Sequence, residues 1–138
     1  MKIIYENPDG GVSVVIPAPG VEPANLISSV VPYGASWDIV EDDAVPADRT
    51  FRTAWRRGES GVCEDLDASK AVAHDIRRAK RSEEFRPHDE LMAARIPGTD
   101  EVAVEAARQE IRDRYVVIEE EIDAAEEVED LRVKVKSL

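Results

Sequence analysis

The sequence predicts an α+β fold: a small N-terminal β-hairpin module followed by a C-terminal antiparallel helical hairpin. Two observations carry this. Near the start, two β-prone runs flank Asn7-Pro8-Asp9-Gly10-Gly11, a loop with the residues a hairpin turn needs. Later, Ile111, Tyr115, Ile118, Ile122 and Ala125 fall at alternating four- and three-residue steps, which draws one apolar seam along a helix whose other faces are charged. A seam this narrow suits a paired helix or coiled coil better than a deep core. The expected organisation is a β-rich module with short helices over residues 1–57, a hinge over 58–66, and the helical hairpin with its tail over 67–138.

The hairpin is expected to pair residues 2–6 with residues 12–16, Pro8 presetting the turn and Gly10 or Gly11 taking positive φ. Pro17-Ala18-Pro19-Gly20 ends the second strand, because proline cannot donate to a ladder. A short helix follows over residues 22–31, with Pro23 in its first turn and Leu26, Ile27, Val30 and Val31 on its buried side. Residues 37–40 read as a third strand after the Tyr33-Gly34 bend. Glu41-Asp42-Asp43 reads as a solvated turn, since three adjacent carboxylates lack the alternating pattern and glycine of a calcium loop.

In residues 45–55 Asp48 reads as an N-cap, and Phe51 and Trp55 share a face at i, i+4 of a short helix. The chain has two tryptophans and two phenylalanines, so half of that set lies in this one stretch. Either the pair plugs the open side of the hairpin, or it forms a docking patch for an acidic or aromatic partner with Arg49, Arg52, Arg56 and Arg57 around it. Gly58-Glu59-Ser60-Gly61 has the composition of a hinge.

Asp67 is the expected cap of the first long helix, with Val72, Ile76 and Ala79 as its small apolar face. Arg77, Arg78, Lys80 and Arg81 are surrounded by Asp75, Glu83 and Glu84 at helical spacings, the pattern of a salt-bridged outer face rather than a phosphate track. Pro87 is expected to kink or interrupt this helix, and Leu91, Met92 and Ile96 to resume its apolar face. Pro97-Gly98 turns the chain, and Thr99-Asp100-Glu101 opens the second helix with a cap and favourable dipole charges. Glu119-Glu120-Glu121 reads as a solvated face. After Glu127, Leu131, Val133 and Val135 alternate with basic residues, so the tail either extends the helix or forms an exposed strand.

The charge balance bounds function. The chain carries 30 acidic and 18 basic residues, a net charge of −12, and residues 101–138 hold 12 acidic against 6 basic, half of the excess. Such a surface repels nucleic acid and attracts basic partners. No apolar run approaches a membrane span or a signal peptide, so a soluble cytosolic protein without a membrane partner is expected. The lone Cys63 rules out an intramolecular disulfide. His74 and His88 are separated by a proline and stand in no metal-ligand spacing with Cys63, so no metal, cofactor or catalytic group is expected.

Lys2-Ile3-Ile4-Tyr5, Gly10-Gly11-Val12, Val14-Val15-Ile16-Pro17-Ala18-Pro19 and above all Val45-Pro46-Ala47-Asp48-Arg49-Thr50-Phe51-Arg52-Thr53-Ala54-Trp55 resemble small proteins encoded beside tail-fibre genes in tailed bacteriophages and prophages. Ala73-His74-Asp75-Ile76-Arg77-Arg78 and Arg108-Gln109-Glu110-Ile111-Arg112-Asp113 are similar to the helical segment of phage tail assembly chaperone and tail-fibre-associated groups. The resemblance implies a non-enzymatic structural or fibre-attachment role, a phage tail or tail-fibre protein as partner, and residence in the host cytoplasm during assembly or in the virion tail. The contact residues expected are Phe51, Trp55, Arg49 and Arg52, and the seam of Ile111, Tyr115, Ile118 and Ile122, which either closes on the first helix or pairs with another copy. Two alternatives stand beside this: a transient assembly chaperone absent from the virion, and an acidic inhibitor of a host DNA-binding defence protein.

Overall fold

Strand β1 (Lys2–Glu6) is the central strand of a three-stranded antiparallel sheet in the computed structural model, which describes residues 1–138. Strand β2 (Val12–Val15) pairs on one side of it, with Ile4 opposite Val14, and β3 (Trp37–Val40) on the other, with Ile4 opposite Asp38. The loop from β1 to β2 is the predicted turn. The Asn7 amide donates to the Gly11 carbonyl at 2.8 Å, and Gly10 sits at φ 83, where a side chain would be strained. Between β2 and β3 a 3-10 turn (Pro23–Asn25) leads into the single-turn helix α1 (Ile27–Val30).

Beyond β3 the chain departs from expectation. The helix expected to carry Phe51 and Trp55 is a 3-10 turn (Arg52–Ala54), and Trp55 begins a strand. The Asp48 carboxylate accepts from Thr50, two residues on, in the manner of a turn rather than a helix cap. Arg52 and Ala54 then donate three residues back, to Arg49 and Phe51, which winds the segment too tightly for an α-helix. The expected hinge is also absent: β4 (Trp55–Gly58) and β5 (Gly61–Glu64) form a second antiparallel hairpin across Glu59-Ser60. Glycine is required here for packing, because a Cβ on Gly61 would stand 2.5 Å from the Ala44 carbonyl oxygen.

Ile4, Val12, Val45 and Trp55 are buried together, with Val14, Val40 and Val62 packed against them. Because side chains alternate along a strand, Ile4, Val12 and Val14 share one face of the three-stranded sheet, and this core sits on that face. Ile3, on the opposite face, is also fully buried. Residues Met1–Ser69 form one compact unit and Lys70–Leu138 a second, so the β4–β5 hairpin belongs to the first unit rather than to a linker.

Helix α2 (Leu66–Ala94) is capped by Asp65, whose carboxylate accepts from the Ala68 amide at 2.8 Å, two residues before the expected cap. The helix runs through Pro87 without interruption. Helix α3 (Glu101–Ala124) begins at Asp100, which accepts from Ala103 at 3.1 Å. It ends at Ala124, where Ala125 turns extended, and a separate helix α4 (Val128–Lys136) buries Leu131 completely. The tail is therefore neither an extension of α3 nor a strand. Helices α2 and α3 pack against each other as the expected helical hairpin. No helix is long and apolar enough to cross a membrane.

Candidate interaction surfaces

The α3 seam is buried within a single chain. Ile111, Tyr115, Ile118 and Ile122 are at most 8% exposed, and Val104 extends the seam by one heptad toward the hairpin turn. The sequence reading missed Val104 because Arg108 occupies the step between it and Ile111. These side chains hold the hairpin together and are not free for a second copy.

The opposing face of α2 differs from the one expected. Ser69, Ala73 and Arg77 are the buried positions, whereas Ala79 is exposed and Val72 and Ile76 are only half-buried. A buried arginine breaks the apolar pattern, so a reading by hydrophobicity chose a stripe one residue away. Arg77 Nη1 donates to Glu119 Oε2 at 2.9 Å. It belongs to an antiparallel series of polar contacts between α2 and α3. Lys70 Nζ donates to the Asp123 carbonyl at 2.8 Å, and His74 Nε2 lies 2.7 Å from Asp123 Oδ1. Glu84 accepts from Arg114 and from the Tyr115 hydroxyl, the latter at 2.9 Å, and Asp89 pairs with Arg108 at 3.1 Å. The basic cluster of α2 is thus only partly a local salt-bridged face: Arg78 pairs with Asp75 and Lys80 with Glu83, but Arg77 and Glu84 reach across to α3.

The pairs on Glu84 and Asp89 bracket Pro87 from α3. They tie both sides of the proline to one partner helix.

Burial opposes ionisation of Glu84, but hydrogen bonds from Arg114 and Tyr115 outweigh it and hold the carboxyl below its ordinary value. Burial, then the hydrogen bond to Glu84, pushes the Tyr115 phenol up to about 12. A folded-state value raised above the unfolded one gives stability that is complete below pH 10 and lost as pH rises through about 12. An absorbance titration at alkaline pH is expected to show the Tyr115 phenol ionising near pH 12 together with loss of helical signal. Tyr115→Phe removes the late-titrating phenol.

The proposed aromatic anchors of the N-terminal unit are core residues. Phe51 is fully buried and Trp55 nearly so, and both are excluded from direct contact with a partner. Arg49 and Arg52 remain on the surface, with the Arg52 guanidinium 5.9 Å from the Trp55 ring centroid. Two arginines of the expected basic cluster, Arg78 and Arg81, join Arg108 and Arg112 of α3 around Phe85, a grouping across two helices that the sequence does not display. Arg81 lies 5.0 Å and Arg112 5.8 Å from its ring centroid, in a cleft that Arg78 and Arg108 also line.

At the turn between α2 and α3, Leu91, Ile96 and Val102 are exposed, Val102 by 82%. Arg95 here has φ 50, the left-handed conformation common just past a helix end and favourable mainly for glycine. Arg95→Gly is expected to stabilise the chain by about 1 kcal/mol and raise the thermal midpoint by several degrees, read by circular dichroism.

Comparison of the chain with protein-family models, with characterised proteins and with solved structures finds no match.

Proposed function

We propose that the chain is a non-enzymatic bacteriophage tail accessory protein, a structural or fibre-attachment component that works by protein–protein contact. The resemblance of residues 45–55 and of the helical segments to proteins encoded beside tail-fibre genes supplies the biological setting. The observation that supports a contact role is the turn end of the α2–α3 hairpin, where Leu91, Ile96 and Val102 stand exposed on a chain whose net charge is −12. Exposed aliphatic side chains near one turn of an acidic chain support reading this end as a place where another protein is received. Polar contacts from the Lys70/Asp123 pair to the Asp89/Arg108 pair tie together the two helices on either side of this turn.

The partner is a phage tail or tail-fibre protein. The same exposed end also fits a transient assembly chaperone, which would hold a tail protein through an apolar contact and then leave. Quantitative mass spectrometry of purified particles beside the lysate separates the two. Stoichiometric presence in particles supports the structural role. Absence from particles with abundance in the lysate shifts the reading to a chaperone. Capture of a basic host DNA-binding protein in place of any tail protein overturns both.

A further inference from the structure

The two edges of the three-stranded sheet differ in a way the proposed function does not use. On one side of β1 the Asn7 amide bonds to Gly11, and on the other the Glu6 amide bonds to Ser36 at 2.9 Å. Hydrogen bonding alternates along a strand, so Ile3 and Tyr5 bond toward β2, while Lys2 and Ile4 bond toward β3. Opposite them, Ser13 and Val15 turn their backbone groups inward to β1, and Val12 and Val14 turn theirs outward. No protein group takes the outward amides and carbonyls of Val12 and Val14.

Natural edge strands are guarded by charge, proline or a bulge. Val12-Ser13-Val14-Val15-Ile16 has no charge and no proline before Pro17, in a chain of net charge −12. Ile16 is 71% exposed at its end. The β3 edge is guarded: Asp38 lies within that strand, ion-paired to Arg57, and Glu41, Asp43 and Glu59 line the cleft beside it.

We infer that β2 pairs antiparallel with β2 of a second copy of this chain, making one continuous six-stranded sheet. With Val14 opposite Val14, the outward groups of Val12, Val14 and Ile16 all find partners, and each Ile16 lies beside the other copy's Val12 on the same face. A strand opposite itself needs no second binding surface, and because this strand is neutral, no like charges meet directly. The acidic β3 edges face outward at both ends of the joined sheet and repel further copies. Growth therefore stops at a closed two-fold dimer rather than a fibre.

The test is sedimentation equilibrium of the full chain over a range of concentration at low and high salt, with amide hydrogen exchange. The expected result is a reversible dimer that strengthens with salt, since two copies of charge −12 repel each other and screening relieves this. Exchange at Val12, Val14 and Ile16 slows as concentration rises. Ile16→Lys, at an exposed position, is expected to weaken the dimer at least about tenfold with unchanged circular dichroism, because the new charge would be buried beside Val12. Val14→Pro removes an outward amide that β1 does not use and gives the same loss. A monomer at every concentration and salt overturns the inference. So does a dimer that Ile16→Lys leaves intact, or one in which exchange at these three amides is unaltered.

Discussion

Replacing Ile118 by Asp is expected to collapse the helical hairpin. Ile118 is 8% exposed on the α3 seam, flanked by Tyr115 and Ile122, which are more deeply buried still. The substitution removes an apolar side chain from a packed position and leaves a carboxylate that must be protonated or drag water into the seam. The expected cost is about 4 kcal/mol, a large share of the stability of a domain this size. Denaturant titration followed at 222 nm should show the helical transition move to much lower denaturant. Ile118→Val, which keeps the seam apolar, should cost only about 1 kcal/mol. Because the seam is closed within one chain, the loss should not depend on protein concentration. A concentration-dependent loss would show that the seam faces another copy in solution.

Trp55→Ala is expected to be the corresponding disruption of the N-terminal unit, at about 3–5 kcal/mol. Trp55 opens β4 and fills the core with Ile4, Val12 and Val45. Its indole nitrogen is buried without a hydrogen-bond partner, so the ring contributes by volume, by contact and by the Arg52 guanidinium near its face rather than by a hydrogen bond. Trp55→Phe should therefore cost far less than Trp55→Ala, since it gives up an unsatisfied donor along with part of the ring. Thermal unfolding followed by near-ultraviolet circular dichroism would read both variants. An alanine variant of unchanged stability but impaired in partner capture would restore Trp55 as a docking residue.

The parts of the fold that were legible in the sequence were those written in apolar spacing and turn chemistry. Asn7-Pro8-Asp9-Gly10-Gly11 announced its hairpin, and the steps from Ile111 to Ile122 announced the paired helix and the residues it buries. The misreadings share a cause: local composition has more than one structural solution. Gly58-Glu59-Ser60-Gly61 suits a hinge and a two-residue hairpin turn equally, and what distinguishes them, the pairing of the flanking strands and the approach of Ala44 to Gly61 from seventeen residues away, is not local to those four residues. Phe51 and Trp55 lie four apart as in a helix, yet an Asx turn at Asp48 sends the chain into a strand. The α2 face was misplaced because its key inward residue is Arg77, which earns burial through Glu119 on another helix. Pro87 reads as a breaker within its own segment, yet the helix continues through it, with Arg108 and Arg114 of another helix paired to residues on either side. The candidate surfaces were least legible, because exposure at Leu91, Ile96 and Val102 and the open edge of β2 depend on what the rest of the chain leaves uncovered.

The polar contacts between α2 and α3 also settle an ambiguity that the seam leaves open. Val104, Ile111 and Ile118 repeat at seven-residue intervals, so sliding one helix past the other by a heptad would still bury aliphatic side chains. Slid one way, Arg77 would leave Glu119 and meet Arg112; slid the other, Glu84 would leave Arg114 and meet Glu121. Each displaced alignment sets like charges against each other, at least one of them in a partly dry setting. The charged residues thus encode an address along the helix, and the apolar ones supply the adhesion.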